Sequence, residues 1–259
     1  VTGASGGVGM ATIELAKAMF HNNVYIIAGV SSQTKMPIPT QVGADIVLCY
    51  GTTKSSRQHF KTQVRQICHQ VRHQHQQLQQ LQQHTTCPTT TTTIPRQQTS
   101  STSHNMGGGG VDLVIDMVHG KLFEETLVSI VRPLGTIVLV GFAAGQSPIR
   151  PGIILIKELN IVGSLWGRWS IEHPIQHRSN VQTILHLLSS GQIRPRVDRI
   201  IPLTHFIQAF EVYEQNTGRG NTVISFMDDD DENNNEDSKT TKLVRNSNAS
   251  LLHHNRSRL

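Results

Sequence analysis

The chain has 259 residues and a formal net charge of +5, and 37% of its residues are hydrophobic, 16% charged and 5% aromatic. The cations are scattered and aromatic residues are few, which argues against a nucleic-acid-binding surface and favours a smaller phosphate-bearing ligand. The three cysteines are an odd number without Cys-x-x-Cys spacing, so the sequence indicates neither a disulfide framework nor a zinc ribbon. No apolar run reaches the roughly 18 residues of a membrane helix, so we predict no membrane span.

Two segments differ in composition from the rest of the chain. Gln, His, Thr and Ser dominate residues 69–105, and Asp, Asn and Ser dominate residues 227–259. Such segments bury too little apolar area to offset the entropy lost on folding. We therefore predict a dinucleotide-binding domain over residues 1–226, interrupted by a low-complexity insertion at 69–105 and followed by a disordered acidic and polar tail at 227–259.

Hydrophobic patterning predicts strands and helices in alternation. A strand end, a glycine turn at residues 3–9 and a helix from Met10 come first. The further predicted strands are residues 24–28, 46–48, 111–115, 137–140, 159–162 and 222–226, and the further predicted helices lie near 36–42, 57–71, 121–131, 179–190 and 204–215. This order predicts an α/β fold with a doubly wound parallel sheet of Rossmann type. Apolar residues up to Leu81 extend the third helix outward, and we expect disorder over most of 83–106.

The glycine turn is the first motif that indicates chemistry. Residues 3–9 read Gly-Ala-Ser-Gly-Gly-Val-Gly between a strand end and a helix start. Glycines in this position let the backbone approach a pyrophosphate, and the helix N-terminus faces the anion. We therefore predict that Gly6, Gly7, Val8 and Gly9 bind the phosphates of a dinucleotide. The alternative is an ordinary strand-to-helix turn.

A second reductase family shares part of this pattern. Thr2-Gly3-x-x-x-Gly7-x-Gly9 also matches the short-chain dehydrogenase fingerprint, and Tyr50-x-x-x-Lys54 matches that family's catalytic pair. That pair requires a helix late in the fold, whereas Tyr50 directly follows the third predicted strand. We therefore interpret this match as a coincidence.

Motifs farther along the chain favour a different family. They are Gly43-Ala44-Asp45 and the segments 111–120 (VDLVIDMVHG), 135–145 (GTIVLVGFAAG) and 161–167 (IVGSLWG). In this order they closely resemble the cofactor domain of zinc-independent medium-chain dehydrogenases/reductases of the quinone oxidoreductase type. The resemblance covers about residues 1–67 and 107–226. The departures are the insertion, His119 where the family usually has Gly, and Asn221 where it often has Lys.

The resemblance also implies a second domain. In the family a GroES-like barrel precedes the glycine turn and supplies much of the substrate cleft, and this sequence has no counterpart to it. Because Val1 lies next to the glycine turn, we expect the sequence to begin partway through a longer protein. The nucleotide part alone should then bind cofactor without turnover.

Charge favours NADPH over NADH. NAD-selective folds place an acid about 20 residues past the last glycine, but residues 28–35 contain none. A 2′-phosphate would instead meet hydroxyls such as that of Ser32 and the ammonium of Lys35. The resemblance implies that Lys35 and Tyr50 hold this phosphate. The alternatives are a solvated lysine at a helix start and a packing tyrosine.

The nicotinamide site is expected where the fifth strand ends, because ligands of such folds bind at the carboxyl ends of the strands. The resemblance implies that the backbone of Gly141, Phe142 and Ala143 lies along the ring, with Val118, Leu165 and Trp166 beside it. Phe142 and Trp166 have core packing as their alternative role.

No metal site is predicted. His69 and His73 are one helical turn apart with His75 and His84 nearby, but no carboxylate completes a ligand set and the region is of low complexity.

These observations lead to the hypothesis of an NADPH-dependent reductase that transfers hydride to a quinone or an enone-type carbonyl. Its catalytic residues are unknown, because no His, Cys or acid in these motifs stands out as a proton donor. The alternative is a non-catalytic NADP(H)-binding module or truncated pseudoenzyme. We expect a small-molecule substrate, no membrane or nucleic-acid partner and a homodimer, in an intracellular protein of the cytoplasm or, as second choice, of mitochondria.

Overall fold

The computed structural model describes residues 1–85, 109–215, 218 and 220–226. The chain divides into two compact units, Val1–Arg196 and Val197–Leu259. The domain boundaries drawn from the sequence stay a prediction. The expected disorder over most of 83–106 lies almost entirely outside the described residues, and the expected tail at 227–259 lies wholly outside them.

Helices and strands alternate along the first unit. Its elements are α1 (Gly7–Phe20), β1 (Ile27–Val30), α2 (Pro37–Gln41), β2 (Ile46–Cys49), α3 (Lys54–Thr85), β3 (Val111–Asp116), α4 (Gly120–Leu122), α5 (Val128–Ile130), β4 (Val131–Leu139), α6 (Pro151–Lys157), β5 (Asn160–Gly163), α7 (Trp166–Glu172) and α8 (Pro174–Ser189). A π-helical turn, Phe123–Leu127, joins α4 to α5. The second unit contains β6 (Val197–Pro202), α9 (Phe206–Glu214) and β7 (Asn221–Ser225), and β6 pairs with β7 in parallel.

The strands of the first unit are parallel. Strand β1 pairs with β2, and β3, β4 and β5 pair in that order. Residues 1–4 connect the two groups, because Thr2 N donates to Ile115 O at 3.0 Å while Gly29 N donates to Val1 O at 2.7 Å. The resulting order is β2, β1, residues 1–4, β3, β4, β5. All strands remain parallel, but β1 and β2 are added on one side of residues 1–4 and β3, β4 and β5 on the other. The boundary between residues 1–4 and β3 is therefore the topological switch point, where ligands of such folds bind.

Apolar side chains pack on this sheet in two clusters. Helix α3 contributes Phe60, Val64 and Cys68, which are spaced by four residues and therefore lie on one helix face. They pack with the π-turn residue Phe123 and with side chains of β2, β3 and β4. Helix α1 contributes Ile13 to the second cluster, with Ala4 and residues of β1.

The end of α5 is capped by a lysine. Lys157 Nζ donates to the carbonyls of Val128, Ser129 and Val131 at 3.1, 2.9 and 2.7 Å, and Arg65 also donates to Ser129 O. Cations at a helix C-terminus satisfy its free carbonyls and oppose its dipole. Burial, followed by the charges of Arg65 and Lys61, lowers the pKa of Lys157. This basic cluster lies where β4 begins, at the amino ends of the strands.

The α/β alternation and the parallel sheet confirm the predicted fold class, but several elements differ. The first apolar run forms a strand only from Ile27, because side chains bond the backbone of the residues before it. Asp45 Oδ2 accepts Ile26 N at 2.6 Å, and Lys17 Nζ donates to both Val24 O and Asp45 Oδ1. Helix α3 runs from 54 to 85, which includes the predicted helix 57–71 and its expected extension to Leu81 but begins earlier and ends later. The sequence did not predict β6, α6 or α7, and the helix placed at 179–190 begins at Pro174.

We expect deletion of residues 73–105 to leave the fold intact, since the described side chains of α3 beyond Arg72 face solvent. Arg72 is retained because its Nη2 donates to Gly110 O at 2.7 Å. This hydrogen bond also shows that the chain before the deletion lies close to the chain after it. The midpoint of thermal unfolding, followed by circular dichroism, should change by less than about 4 °C, which corresponds to roughly 1 kcal/mol. Full-length Arg72→Met is the control for that contact. A much larger decrease in the deletion variant would show that the insertion packs on the domain.

Candidate functional site

The glycine turn lies at the switch point of the sheet. Gly3 has a φ of +60°, a conformation that favours glycine, and Gly6 N donates back to Gly3 O at 3.0 Å. Helix α1 then begins at Gly7 with Gly6 as its N-cap residue, and no side chain caps it. The N–H groups of its first turn are therefore available to an anion at the positive end of the helix dipole.

Gly9 allows α1 to cross directly over the incoming strand. A Cβ atom at this position would lie 2.4 Å from Gly3 O and 2.7 Å from Ala4 Cα. Both contacts are with backbone, so neither can be relieved by a side-chain rotation. Gly9 is therefore required for packing of the helix on the strand.

The remaining predicted cofactor residues follow the ends of neighbouring strands. Ser32 and Lys35 follow β1, and Tyr50 follows β2. Val118 follows β3, while Gly141–Ala143 and Leu165–Trp166 follow β4 and β5. Because all these strands are parallel, the structure brings the predicted residues to one edge of the sheet, in the order in which an extended dinucleotide would meet them.

Tyr50 is a buried residue of this edge. Its ring packs edge-on against Phe60, with 6.0 Å between the ring centroids, and lies beside Gly29, where a Cβ would be 3.3 Å from Tyr50 Cδ1. Burial, followed by the charges of Asp116 and Cys49, raises the pKa of Tyr50 to about 12, despite a hydrogen bond with the Ser31 side chain. Its hydroxyl is thus already bonded to the loop that follows β1.

Lys35 and Ser32 lie on that same loop. Ser32 Oγ is 2.9 Å from Thr34 Oγ1, and Lys35 N donates to Ser32 O. Partial burial lowers the pKa of Lys35. The loop thus combines hydroxyl groups with a cation, as an anionic ligand group requires.

A buried polar network that the motifs did not predict lies beneath the glycine turn. Asp116 at the end of β3 is fully buried, and its Oδ1 accepts Thr2 Oγ1 at 2.6 Å and the backbone N–H groups of Val118 and His119 at 3.0 and 3.1 Å. Thr2 Oγ1 in turn accepts Met117 N at 3.1 Å. This network fixes the end of β3 to the strand that enters the glycine turn. Its sequence signal is weak, because β3 contains a second acid, Asp112, besides the buried Asp116 at its end.

His119 extends the network toward β4. Its φ of +59° favours glycine, and holding a bulky residue there costs about 1–3 kcal/mol. The imidazole is buried, with Nδ1 3.5 Å from Asp116 Oδ2 and its ring stacked on Phe123. The next residue, Gly120, has a φ of +58°, and a Cβ there would lie 2.6 Å from Ala144 O.

The loop after β4 is attached to the loop after β3 by backbone hydrogen bonds. Asp116 O accepts Val140 N at 2.9 Å, Met117 O accepts Ala143 N at 3.2 Å and Val118 O accepts Ala144 N at 2.8 Å. Phe142 is left half-exposed between these bonds, and Leu165 and Trp166 on the neighbouring loop are about two-thirds exposed. The edge therefore presents apolar rings above a fixed backbone, and core packing does not account for Phe142 or Trp166 in this unit.

Neither a cluster of metal ligands nor a membrane-spanning helix is found in the part of the chain that the structure describes. Within 1–85 and 109–226, apart from the three undescribed positions near 217, no three His, Cys, Asp or Glu side chains are grouped as metal ligands. Over the same residues no helix is both long and apolar enough to cross a membrane.

We expect Thr2→Val to destabilise the domain by roughly 2 to 4 kcal/mol, because the isosteric valine removes one of the three hydrogen bonds accepted by Asp116 Oδ1 and leaves Met117 N–H without a buried partner. Chemical denaturation measures this loss. Thr12→Val is the matched control, since the hydrogen bond from Thr12 Oγ1 to Val8 O is exposed to solvent and its loss should change stability by less than about 0.5 kcal/mol. Equal effects of the two variants would contradict the structural role of the network.

We expect Tyr50 to make stability depend on pH in the alkaline range. Its folded pKa of about 12 lies above the unfolded value of about 10. The stabilisation is therefore complete below about pH 10 and is lost as pH rises toward 12, by up to about 2–3 kcal/mol.

Denaturation curves of wild type and Tyr50→Phe across this range should differ by that amount, with Tyr213→Phe, at an exposed position, as the control. In an ultraviolet absorbance titration, the phenolate signal that appears near pH 12 in the wild type should be absent from Tyr50→Phe. Identical pH profiles of wild type and Tyr50→Phe would contradict the assignment.

Comparisons with known proteins agree with this geometry. Residues 7–189 match the zinc-binding dehydrogenase family. The chain is 34% identical over 121 residues to quinone oxidoreductase-like protein 2 of Bos taurus, covering 46% of this chain and 34% of the relative. It is 25% identical over 227 residues to the quinone oxidoreductase-like protein 2 homolog of Nematostella vectensis, covering 87% of this chain and 49% of the relative. It thus spans between a third and a half of the length of these relatives.

A solved structure shares the fold. The quinone oxidoreductase of Thermus thermophilus, whose complex with NADPH is also known, superposes with a TM-score of 0.58 at 18% identity, over 87% of this chain and 56% of that one. The glycine turn, the parallel sheet and the family match over most of the chain lead to one conclusion: the chain belongs to the zinc-binding dehydrogenase family, as a Rossmann-type cofactor domain of the quinone oxidoreductase-like medium-chain dehydrogenases/reductases.

Proposed function

We propose that the chain binds NADPH along the carboxyl edge of its sheet and forms the nucleotide part of an oxidoreductase that transfers hydride to a quinone or an enone-type carbonyl. The observation that carries this proposal is the glycine turn at the switch point, where residues 1–4 enter between β1 and β3 and α1 begins without a side-chain cap. The curated relatives named as quinone oxidoreductase-like support the choice of reaction.

The pyrophosphate would be held by backbone groups. The first turn of α1 and its N-cap residue consist of Gly6, Gly7, Val8 and Gly9. Gly9 lies so close to the backbone of residues 3 and 4 that a Cβ atom there would collide with it. Because the N–H groups of this turn point along the helix axis toward its N-terminus, they suit two adjoining phosphates.

The 2′-phosphate would be held by the loop after β1. Lys35 supplies a cation and Ser32 a hydroxyl, and no acid lies between Ala28 and Lys35 to repel the phosphate. Tyr50 supports this loop through its bond with Ser31. A phosphate monoester carries nearly two negative charges at neutral pH, so a lysine ammonium there favours NADPH over NADH.

The nicotinamide would lie at the ends of β3, β4 and β5. Gly141 and Ala143 offer backbone there, while Val118, Phe142, Leu165 and Trp166 offer apolar surface that orients the ring and excludes water. The bound cofactor supplies the hydride. Asp116 and His119 are buried beneath this surface, so we assign the catalytic role to neither. The family is named for zinc, but the residues that the structure describes group no set of zinc ligands.

We expect Lys35→Ala to weaken NADPH binding about 10- to 150-fold, because a charge-assisted hydrogen bond contributes roughly 1.5 to 3 kcal/mol. NADH binding should hardly change, since NADH has no 2′-phosphate. Cofactor fluorescence titrations measure both affinities. Lys61→Ala is the matched control, because Lys61 belongs to the basic cluster at the amino ends of the strands. Equal losses for both nucleotides, or tighter NADH than NADPH binding by the wild type, would contradict the assignment.

We also expect the 259-residue chain to bind NADPH yet to reduce a panel of quinones and enones only at the rate of a protein-free control. The reason is that the relatives carrying the quinone oxidoreductase-like name are about two to three times as long as the part this chain matches. Loss of reduced-nicotinamide absorbance measures turnover.

Rapid quinone-dependent NADPH oxidation by this chain would contradict the expectation of binding without turnover. The sequence encoded upstream of Val1 separates the oxidoreductase from the alternative of a non-catalytic NADP(H)-binding module: a GroES-like barrel there favours the enzyme, and an unrelated sequence favours the module.

A further inference from the structure

His119 stands out because its backbone conformation suits glycine while its side chain is almost completely buried. Residues other than glycine rarely adopt a φ of +59°, and only 2% of His119 is exposed. A buried imidazole held in an unfavourable backbone conformation requires contacts that fix it there.

The imidazole connects the core to the exposed loop after β4. On one side it stacks on Phe123, with ring centroids 4.2 Å apart and an interplanar angle of 27°, and Phe123 is fully buried. On the other side it meets Phe142 edge-to-face, with centroids 4.9 Å apart and an angle of 86°. The half-exposed Phe142 ring is thereby attached to the fixed π turn through His119.

The two ring nitrogens make further contacts in the same directions. Nδ1 lies 3.5 Å from Asp116 Oδ2 at the end of β3, and Nε2 lies 3.4 Å from the Ser147 carbonyl oxygen. Ser147 follows Phe142 on the same loop. His119 therefore contacts the β4 loop at two points, five residues apart, while Asp116 and Phe123 fix the position of the imidazole itself.

We propose that His119 is a positioning residue for the nicotinamide end of the ligand. Its imidazole fixes Phe142 and the segment 141–147 in the arrangement that receives the ring. This inference rests on the proposed function. The adenosine end would be bound at the ends of β1 and β2, whereas the ring and hydrogen-bond contacts of the imidazole described above are with the π turn and the loop after β4. His119 therefore acts on one half of the dinucleotide only.

The test compares two ligands that differ only by the nicotinamide, NADPH and ADP-ribose 2′-phosphate. Calorimetry measures both affinities for wild type, His119→Gly and His119→Phe. Glycine suits the backbone, so thermal unfolding of His119→Gly should stay cooperative. We expect His119→Gly to weaken NADPH binding about two- to twelvefold, the range of one aromatic contact, with ADP-ribose 2′-phosphate unaffected. His119→Phe, which keeps the ring contacts, should restore most of the NADPH affinity.

A second variant removes the exposed partner instead. Phe142→Leu should give the same ligand-selective loss, and in both variants the fluorescence gain of bound NADPH should decrease. Equal weakening of both ligands, or unchanged NADPH affinity in His119→Gly, would overturn the positioning role. If wild type binds neither ligand, the proposed function itself is wrong and the inference is wrong with it. Binding of ADP-ribose 2′-phosphate by every variant therefore distinguishes the two failures.

Discussion

Residues 1–4 have to fit between two strands while a helix crosses directly over them. The backbone of this segment bonds to β1 on one side and β3 on the other, and the start of α1 lies so close above it that a single methyl group at Gly9 would collide with backbone. Everything at the carboxyl edge depends on this close approach. It fixes the direction of α1, joins the two halves of the sheet and creates the switch point.

Beneath this crossing, a buried carboxylate makes the connections that further backbone pairing cannot. Asp116 gathers a hydroxyl and two backbone N–H groups at one oxygen, so the loop after β3 turns sharply where the strand ends. A buried charge is tolerated only with such partners. The loop after β4 is then held by backbone bonds to the loop after β3. Residues 1–4 thus fix the loop after β3 through Asp116, and that loop in turn fixes the loop after β4, which carries the half-exposed Phe142 ring.

Local patterns predicted what local physics decides. The glycine turn, the apolar strand runs and the α/β alternation are set by neighbouring residues, and the fold class followed from them. The elements that the sequence did not predict depend on partners elsewhere in the chain. The charged residues Asp198 and Arg199 interrupt the apolar pattern of β6, and the strand is stabilised by its pairing with β7. In the network of Thr2, Asp116 and His119, Thr2 contacts residues 114 and 115 positions farther along the chain, and no spacing rule connects such distant residues. Its sequence signals were weak: β3 contains two acids, and a histidine stands at a position where the family usually has glycine.

The length of α3 has a consequence for how this protein can vary. The last fully packed residue of its core-facing stripe is Cys68, and the helix continues to Thr85, about 25 Å farther at 1.5 Å per residue. Changes in the length of the tract that follows therefore begin at the far end of a helix, well beyond its last core contact. A surface insertion of any length adds little to the entropy of closing the loop. A tract in this position can differ in length without altering the packing of α3 on the sheet.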